Sequence, residues 1–344
     1  MSQIQTPEGN INYTYTLCGS KVDSISRDGN TISYTYDGKL ITSETYSGVL
    51  DKELSYTYNN DFRLTEFTYA GQTEFFSFDK NGLLTSAGEF TINRNSQNGL
   101  PESVSSDSYT KSRSFNGFAE TSSREVSVSG FELYTSDITR NKNGQIVEKT
   151  VSINGETHTY KYQYDDLGRL TRVTKDGSVV EEYSYDSDNT RTQERNTLRG
   201  IDRSLGYDKE DRLLTAGNTQ YQYNADGFLT EKTNGSNTTQ YEYSSRGELL
   251  KAILPDSTEI EYTYGPKGRR LSKSVNGTLT RKYLWSSLTK LLAVYDGNDN
   301  LLMRFDYADS RMPVSMTQNG KKILPDLHTR WVLSWMLHTP PGML

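Results

Sequence analysis

The side chains best suited to metal or nucleophilic chemistry are few and far apart. The chain holds three histidines, His158, His328 and His338, and one cysteine, Cys18. A zinc site needs clustered nitrogen, sulfur or carboxylate ligands. Here His158 stands alone, and His328 and His338 lie ten positions apart. Cys18 has no partner for a disulfide within the chain, which leaves a lone thiol or a bridge to a second chain. No Ser/His/Asp arrangement and no glycine-rich phosphate loop can be named. The run DGNDN, 296–300, has the alternating oxygens of a calcium loop but lacks the glutamate at the twelfth position, so a hairpin turn fits better. Asn234-Gly-Ser, Asn237-Thr-Thr and Asn276-Gly-Thr match glycosylation acceptors, and they match ordinary turns better. The acidic residues Asp37, Asp79, Asp165, Asp186, Asp208 and Asp226 stand where the chain must reverse. The expectation is a non-enzymatic protein with no catalytic residue, no metal site and no cofactor.

Those aspartates belong to a repeating element. Aromatic–x–aromatic followed by a turn recurs at Tyr34/Tyr36, Tyr56/Tyr58, Phe76/Phe78, Tyr162/Tyr164, Tyr183/Tyr185, Leu205/Tyr207, Tyr221/Tyr223, Tyr241/Tyr243 and Tyr262/Tyr264. Degenerate copies follow at Tyr283 and Phe305. From Tyr162 the steps are 21, 22, 16, 20, 21, 21 and 22 residues. Alternation of this kind is a strand signal. In YKYQY, Tyr160, Tyr162 and Tyr164 share one face, and Lys161 and Gln163 the other. Asp165 can then bond its own backbone two residues on, and Gly168 can take a positive φ. Arg169 and Leu170 open the return strand. The same glycine position is held by Gly82, Gly227, Gly247 and Gly268. Lys175-Asp-Gly is a second turn, of hairpin type. One unit is therefore a β-hairpin, which is marginal alone and must pair with its neighbours. Stacked tyrosine rows supply cross-strand contacts, each worth on the order of 0.2–1 kcal/mol. Leu64, Leu83, Leu170, Leu213 and Leu229 at the turn exits are expected to add a thin apolar layer. The run 281–297 could carry a helical face through Leu284, Leu288, Leu291 and Leu292, but its flanks favour strands.

Composition limits the rest. Apolar residues make up 33 % of 344, below the globular norm, so a large compact core is not expected. Disorder is also disfavoured, because 25 Tyr and 11 Phe accompany a net charge of only −6. Mild acidity and the lack of a basic stripe argue against nucleic acid as a partner. The N-terminus MSQIQTPEGN has neither a basic start nor an apolar run, so no signal peptide is read there. No stretch is long and apolar enough for a membrane-spanning helix.

YQYDDLGRLT and its relatives resemble the YD repeat of the Rhs family, which includes bacterial Rhs proteins, toxin-complex C subunits and teneurins. The resemblance covers about 31–90 and 159–320 and is weaker over 91–158; the run 283–322 is similar to the segment preceding the family's conserved core. It implies an all-β array of antiparallel hairpins in a curved or spiralling sheet, here an open segment of a shell. The family's self-cleaving Asp-Pro motif has no match, since the chain contains no Asp-Pro. The implied organisation is 1–30 as N-terminal strands, 31–158 as divergent repeats, 159–322 as regular repeats and 323–344 as an atypical tail. That tail, rich in Trp, is either an out-of-frame reading, in which a one-base shift turns Ile-Leu-Pro into Tyr-Tyr-Leu, or a cap with Trp331, Trp335 and Leu337 as an apolar patch. The function implied is a structural scaffold tied to a polymorphic toxin or secreted surface protein. Its partners would be other shell segments or a toxin cargo, and its place the cell exterior, or the cytoplasm for a truncated product. A carbohydrate- or wall-binding aromatic module is the alternative, since such repeats also use hairpins of about this length.

Overall fold

The computed structural model describes residues 2–323 apart from 18, 20 and 309. Cys18 and the tail from 324, with His328, Trp331, Trp335, Leu337 and His338, lie outside the described residues. Within them the protein is all-β: 32 strands, one 3₁₀ turn at Thr197–Arg199 and no α-helix. The ambiguous run resolves into strands Thr278–Trp285 and Leu291–Tyr295. β-Branched and aromatic residues on alternating positions, punctuated by turns every few residues, leave no room for a helical stripe.

The chain packs as two units, one drawn from the first 92 residues and from Tyr241 onward, the other Asn93–Gln240. In both, successive strands pair antiparallel. In the second unit, for example, Glu156–Tyr164 pairs with Leu170–Lys175, which pairs with Ser178–Tyr185. Tyr134, Tyr160, Tyr162, Tyr183 and Tyr221 are all half-buried.

The first unit departs from the thin-core expectation. Its buried apolar cluster joins Ile32, Tyr34, Tyr46, Leu50, Leu54, Phe67 and Tyr69 from the early strands to Leu271, Leu284, Leu292, Ala293 and Tyr295 from the late ones. Leu54 and Leu284 are 0 % exposed. The turn-exit leucines contribute less: Leu64, Leu170, Leu213 and Leu229 are half-buried, and Leu83 is exposed. The core depends on two distant lengths of chain meeting, which pattern within one repeat does not encode.

Candidate functional site: the repeat junctions

The chemistry of this chain is concentrated where one hairpin meets the next. Asp165 opens a five-residue loop. Its N–H donates to the Arg169 carbonyl at 3.0 Å, and Gly168 N–H donates back to the Asp165 carbonyl at 2.9 Å. Its Oδ1 accepts the N–H of Leu167 at 3.0 Å and of Arg169 at 2.9 Å. These bonds, with the Arg169 guanidinium, hold the Asp165 carboxyl below the ordinary aspartate range. Asp79, Asp186 and Asp208 each accept the corresponding two backbone N–H groups of their loops through Oδ1. Asp296 does so in DGNDN, accepting from Asn298 and Asn300 N–H. In the loop after Tyr223 the acceptor is Asn224, not Asp226. Asp37 forms no such loop; it pairs with Leu40 across a two-residue turn. At Gly247 and Gly268 the loops open on Ser244 and Gly265.

The fourth residue of most of these loops is left-handed. Gly82, Gly168, Gly227, Gly247 and Gly268 hold it with φ from 70° to 83°. Phe62, Ala119, Asn189, Asp211, Ser257 and Asp299 hold the same position with φ from 58° to 68°. The loop bonds therefore impose a conformation that costs an ordinary side chain about 1–2 kcal/mol.

The second aromatic of most pairs sits at a β-bulge, as at Gln163/Tyr164 and Ser184/Tyr185. The bulge re-aims its ring. Tyr164 OH donates to the Ile146 carbonyl at 2.8 Å, on the first residue of the previous unit's return strand. Tyr185, Tyr223, Tyr264 and Tyr307 likewise reach Leu170, Leu213, Leu249 and Leu291, and Tyr58 reaches Ile41, one residue into its strand. Tyr36 reaches Val22. Trp285 replaces the tyrosine and uses its indole N–H on the Arg270 carbonyl at 2.8 Å. The first aromatics pack instead: Tyr56 stacks on Phe67 at 4.9 Å, Tyr34 is buried, and Phe76 lies against the first unit's core. Phe78 has no hydroxyl and carries the Arg63 guanidinium over its ring at 5.8 Å.

Tyr207 differs from the stapled tyrosines. It keeps the bulge, between Gly206 and Tyr207 and opposite Leu213, and its ring is half-buried. Its hydroxyl, however, makes no hydrogen bond among the described residues, so this junction lacks the backward staple. Pairing with the previous strand is regular, Gln193 opposite Ser204, and places Arg191 at the start of the return strand that Tyr207 would reach. The stapled tyrosines end there on Val, Ile or Leu. Arg191 itself turns to Glu194 at 2.9 Å and to the Tyr183 ring at 5.3 Å. The first aromatic of this pair is also missing, replaced by buried Leu205.

Three features escaped sequence reasoning. The threonine after the leucine is the extra residue of the bulge, and Thr65, Thr171 and Thr230 donate to the carbonyls of Thr57, Gln163 and Gln222 at 3.2 Å. The recurring RLT or LT run was its signal. Arg169 reaches forward: it bonds Asp165 Oδ2 at 2.7 Å, the Asp186 carbonyl at 3.1 Å and Asn189 Oδ1 at 2.9 Å, and lies 4.7 Å over the Tyr185 ring. This junction is thus tied backward by a phenol and forward by a guanidinium. The third feature has no local signal. In the first unit, Glu8–Ser245, Arg27–Glu248, Glu44–Lys267, Tyr46–Trp285, Tyr69–Phe305 and Glu74–Arg304 join residues 221–239 positions apart, with the partners rising in nearly the same order. Two lengths of ribbon therefore run side by side in the same chain sense. Arg27 is buried at 3 % and its fork meets Glu248 through two 2.8 Å bonds.

His158 meets Asp176 through Nδ1 at 2.6 Å and Glu156 through Nε2 at 3.0 Å. Among the described residues no cluster of His, Cys, Asp and Glu has the form of a metal site.

With this geometry in place, comparison with known proteins is decisive. The family described as Teneurin YD-shell matches residues 1–324. The chain belongs to that family. Mouse teneurin-3 is 24 % identical over 306 residues, covering 84 % of this chain and 11 % of that protein. The tRNA3(Ser)-specific nuclease WapA of Bacillus spizizenii is 28 % identical over 172 residues, 48 % of this chain and 6 % of its own. The crystal structure of TcdB2-TccC3 without its hypervariable C-terminal region superposes with a TM-score of 0.58 at 11 % identity, over 91 % of this chain and 23 % of that one. This YD-shell chain therefore spans about a tenth of the curated relatives it matches. No helix among the described residues is long and apolar enough to cross a membrane.

Proposed function

We propose that this chain is a non-enzymatic wall segment of a YD shell, serving a polymorphic toxin or a secreted surface protein and working outside the producing cell. The observation that carries the reading is the recurrent phenol-to-carbonyl staple, from Tyr36–Val22 to Tyr307–Leu291. It commits the distinctive side chains of the repeat to joining hairpins. The neighbouring TcdB2-TccC3 structure is described by a hypervariable C-terminal region that it lacks; the corresponding cargo here would be a toxin-like segment or a partner polypeptide enclosed by the wall. Other lengths of YD ribbon are the expected lateral partners, and 159–322 the most regular stretch of that wall.

The test is electron microscopy of the native parent protein, with incubation of the purified chain with tRNA and DNA alongside. The expected result is a thin β wall around enclosed density and intact nucleic acid. A compact particle with no interior overturns the shell reading. Hydrolysis by this chain, abolished by changing one of its own residues, overturns the non-enzymatic one.

A further inference from the structure

In the first unit, strands Glu259–Tyr264, Arg270–Val275 and Thr278–Trp285 bring Tyr262, Lys273 and Arg281 into one cross-strand row. Tyr262 pairs with Lys273, and Lys273 pairs directly with Arg281. Like charges directly opposite on paired strands destabilise a sheet. Arg270 adds a third cation, its guanidinium 3.8 Å from the centre of the Tyr262 ring.

Elsewhere in this unit cations meet carboxylates: Lys251 with Glu259, Lys267 with Glu44, Lys282 with Asp299. Among the described residues none does so here. The Lys273 ammonium makes no hydrogen bond or ion pair with them, although the residue is half-buried. Burial together with the charges of Arg281 and Arg270 pushes its ammonium below the ordinary lysine range. Among the described residues the Arg281 guanidinium bonds only the Thr280 carbonyl, at 2.8 Å. Arg270 makes a 3.4 Å bond to Tyr264 OH, and its buried Nε has no partner among the described residues. Asp296 feels Arg281 electrostatically, but its oxygens accept from Asn298 N–H, Asn300 N–H and Asn300 Nδ2.

We infer that Arg270, Lys273 and Arg281 form a binding site for a doubly charged tetrahedral oxyanion, phosphate or sulfate. Two guanidinium groups and an ammonium offer donors suited to such a group, and charge-assisted bonds of this kind are the strong ones. The half-buried rings of Tyr262 and Tyr283 flank the row and lower its local dielectric, which strengthens the attraction. The inference is independent of the shell reading.

The experiment is calorimetric titration of the full chain with sodium phosphate and with sodium sulfate, and thermal unfolding in each against sodium chloride at equal ionic strength. Wild type is expected to bind saturably and to melt higher in either dianion than in chloride. Lys273→Gln and Arg281→Gln should each weaken binding by at least about tenfold. In chloride, Lys273→Gln should melt no lower than wild type, because it relieves the opposed charges. The control Lys282→Gln breaks a paired lysine and should lower the melting temperature with anion affinity unchanged. Binding by both dianions assigns the site to tetrahedral dianions in general, and binding by phosphate alone assigns it to phosphoryl groups. Absence of binding beyond chloride, or equal affinity in wild type, Lys273→Gln and Arg281→Gln, overturns it.

Discussion

The phenol of Tyr164 donates to the carbonyl of Ile146, eighteen residues earlier and 2.8 Å away. The bond crosses from one hairpin to the preceding one, so it makes neighbouring repeats a single mechanical object. Tyr164→Phe keeps the ring and removes the staple. A lost hydrogen bond of this type costs about 1 kcal/mol, somewhat more where the carbonyl is left without water. Denaturant unfolding of Tyr164→Phe and of the Tyr164→Phe/Tyr185→Phe pair should show about 1 and about 2 kcal/mol lost. Tyr207→Phe, where no staple exists, should cost less than either. Unaltered midpoints in all three would mean the phenols are ornaments of a sheet held by its ladder alone.

The left-handed loop position makes opposite predictions for two of its occupants. Gly168 has φ 81°, and an added Cβ would lie 3.1 Å from Gln145 Nε2, the movable end of a flexible side chain. Backbone strain therefore dominates, and Gly168→Ala should destabilise by about 1 kcal/mol. Phe62 has φ 61° and is 74 % exposed. Removing it relieves strain and little packing, so Phe62→Gly should be neutral or stabilising by up to about 1 kcal/mol, although glycine ordinarily weakens a chain. Thermal melts of both variants check the pair; a large loss in Phe62→Gly would show that its ring packs in solution.

How much of this was legible in the sequence differs by scale. The hairpin, its turn and the shared tyrosine face could be read from Tyr160 to Gly168, because strand alternation and positive-φ turns are local rules. The resemblance of the YD motif to a known repeat supplied the array. What Tyr164 OH bonds was not legible, since its acceptor is a carbonyl that any residue could supply. For the same reason Tyr207 looked like its fellows, although its hydroxyl is left out of the staple series. Arg27 and Glu248 looked like ordinary surface charges; only the meeting of two ribbons 221 residues apart buries them. Long-range register is a property of accumulated twist and curvature, which no single repeat states.

That buried pair carries an acid dependence. Burial alone would raise the Glu248 carboxyl, but the Arg27 bonds and charge outweigh it and leave it below the ordinary glutamate range. A lowered folded pKa contributes stability that is present above the unfolded value, about 4.3, and lost as pH falls through the folded value. Asp306 has the opposite sign: burial raises it, so its contribution is present below the unfolded aspartate value and is lost as pH rises through the folded one. Glu248→Ala should cost on the order of 3 kcal/mol by stranding the Arg27 charge, and flatten the fall in stability below about pH 4. Unfolding curves from about pH 3 to 7 for wild type and variant test this; parallel curves would place the acid transition elsewhere.

The tyrosines give an alkaline counterpart. Burial, reinforced by the Glu44 carboxylate, pushes Tyr46 and Tyr56 far above the ordinary phenol range. Burial does the same to Tyr69 against the partial opposition of Arg304. In the second unit, burial with the Glu181 hydrogen bond raises Tyr183 to about 12. A phenol whose folded pKa is raised contributes stability in full below the unfolded value, about 10, and loses it as pH climbs through the folded value. Phenolate absorbance on titration should therefore rise in two stages. Exposed tyrosines ionise first and reversibly, with the sheet intact by circular dichroism. Tyr46, Tyr56 and Tyr69 ionise only as the first unit unfolds, in one cooperative step above about pH 11. Tyr46→Phe should remove one phenol from that second stage and none from the first. Should every phenol titrate smoothly near about pH 10 while the dichroism holds, the early and late ribbons do not enclose these rings, and the buried cluster of Leu54 and Leu284 is open to water.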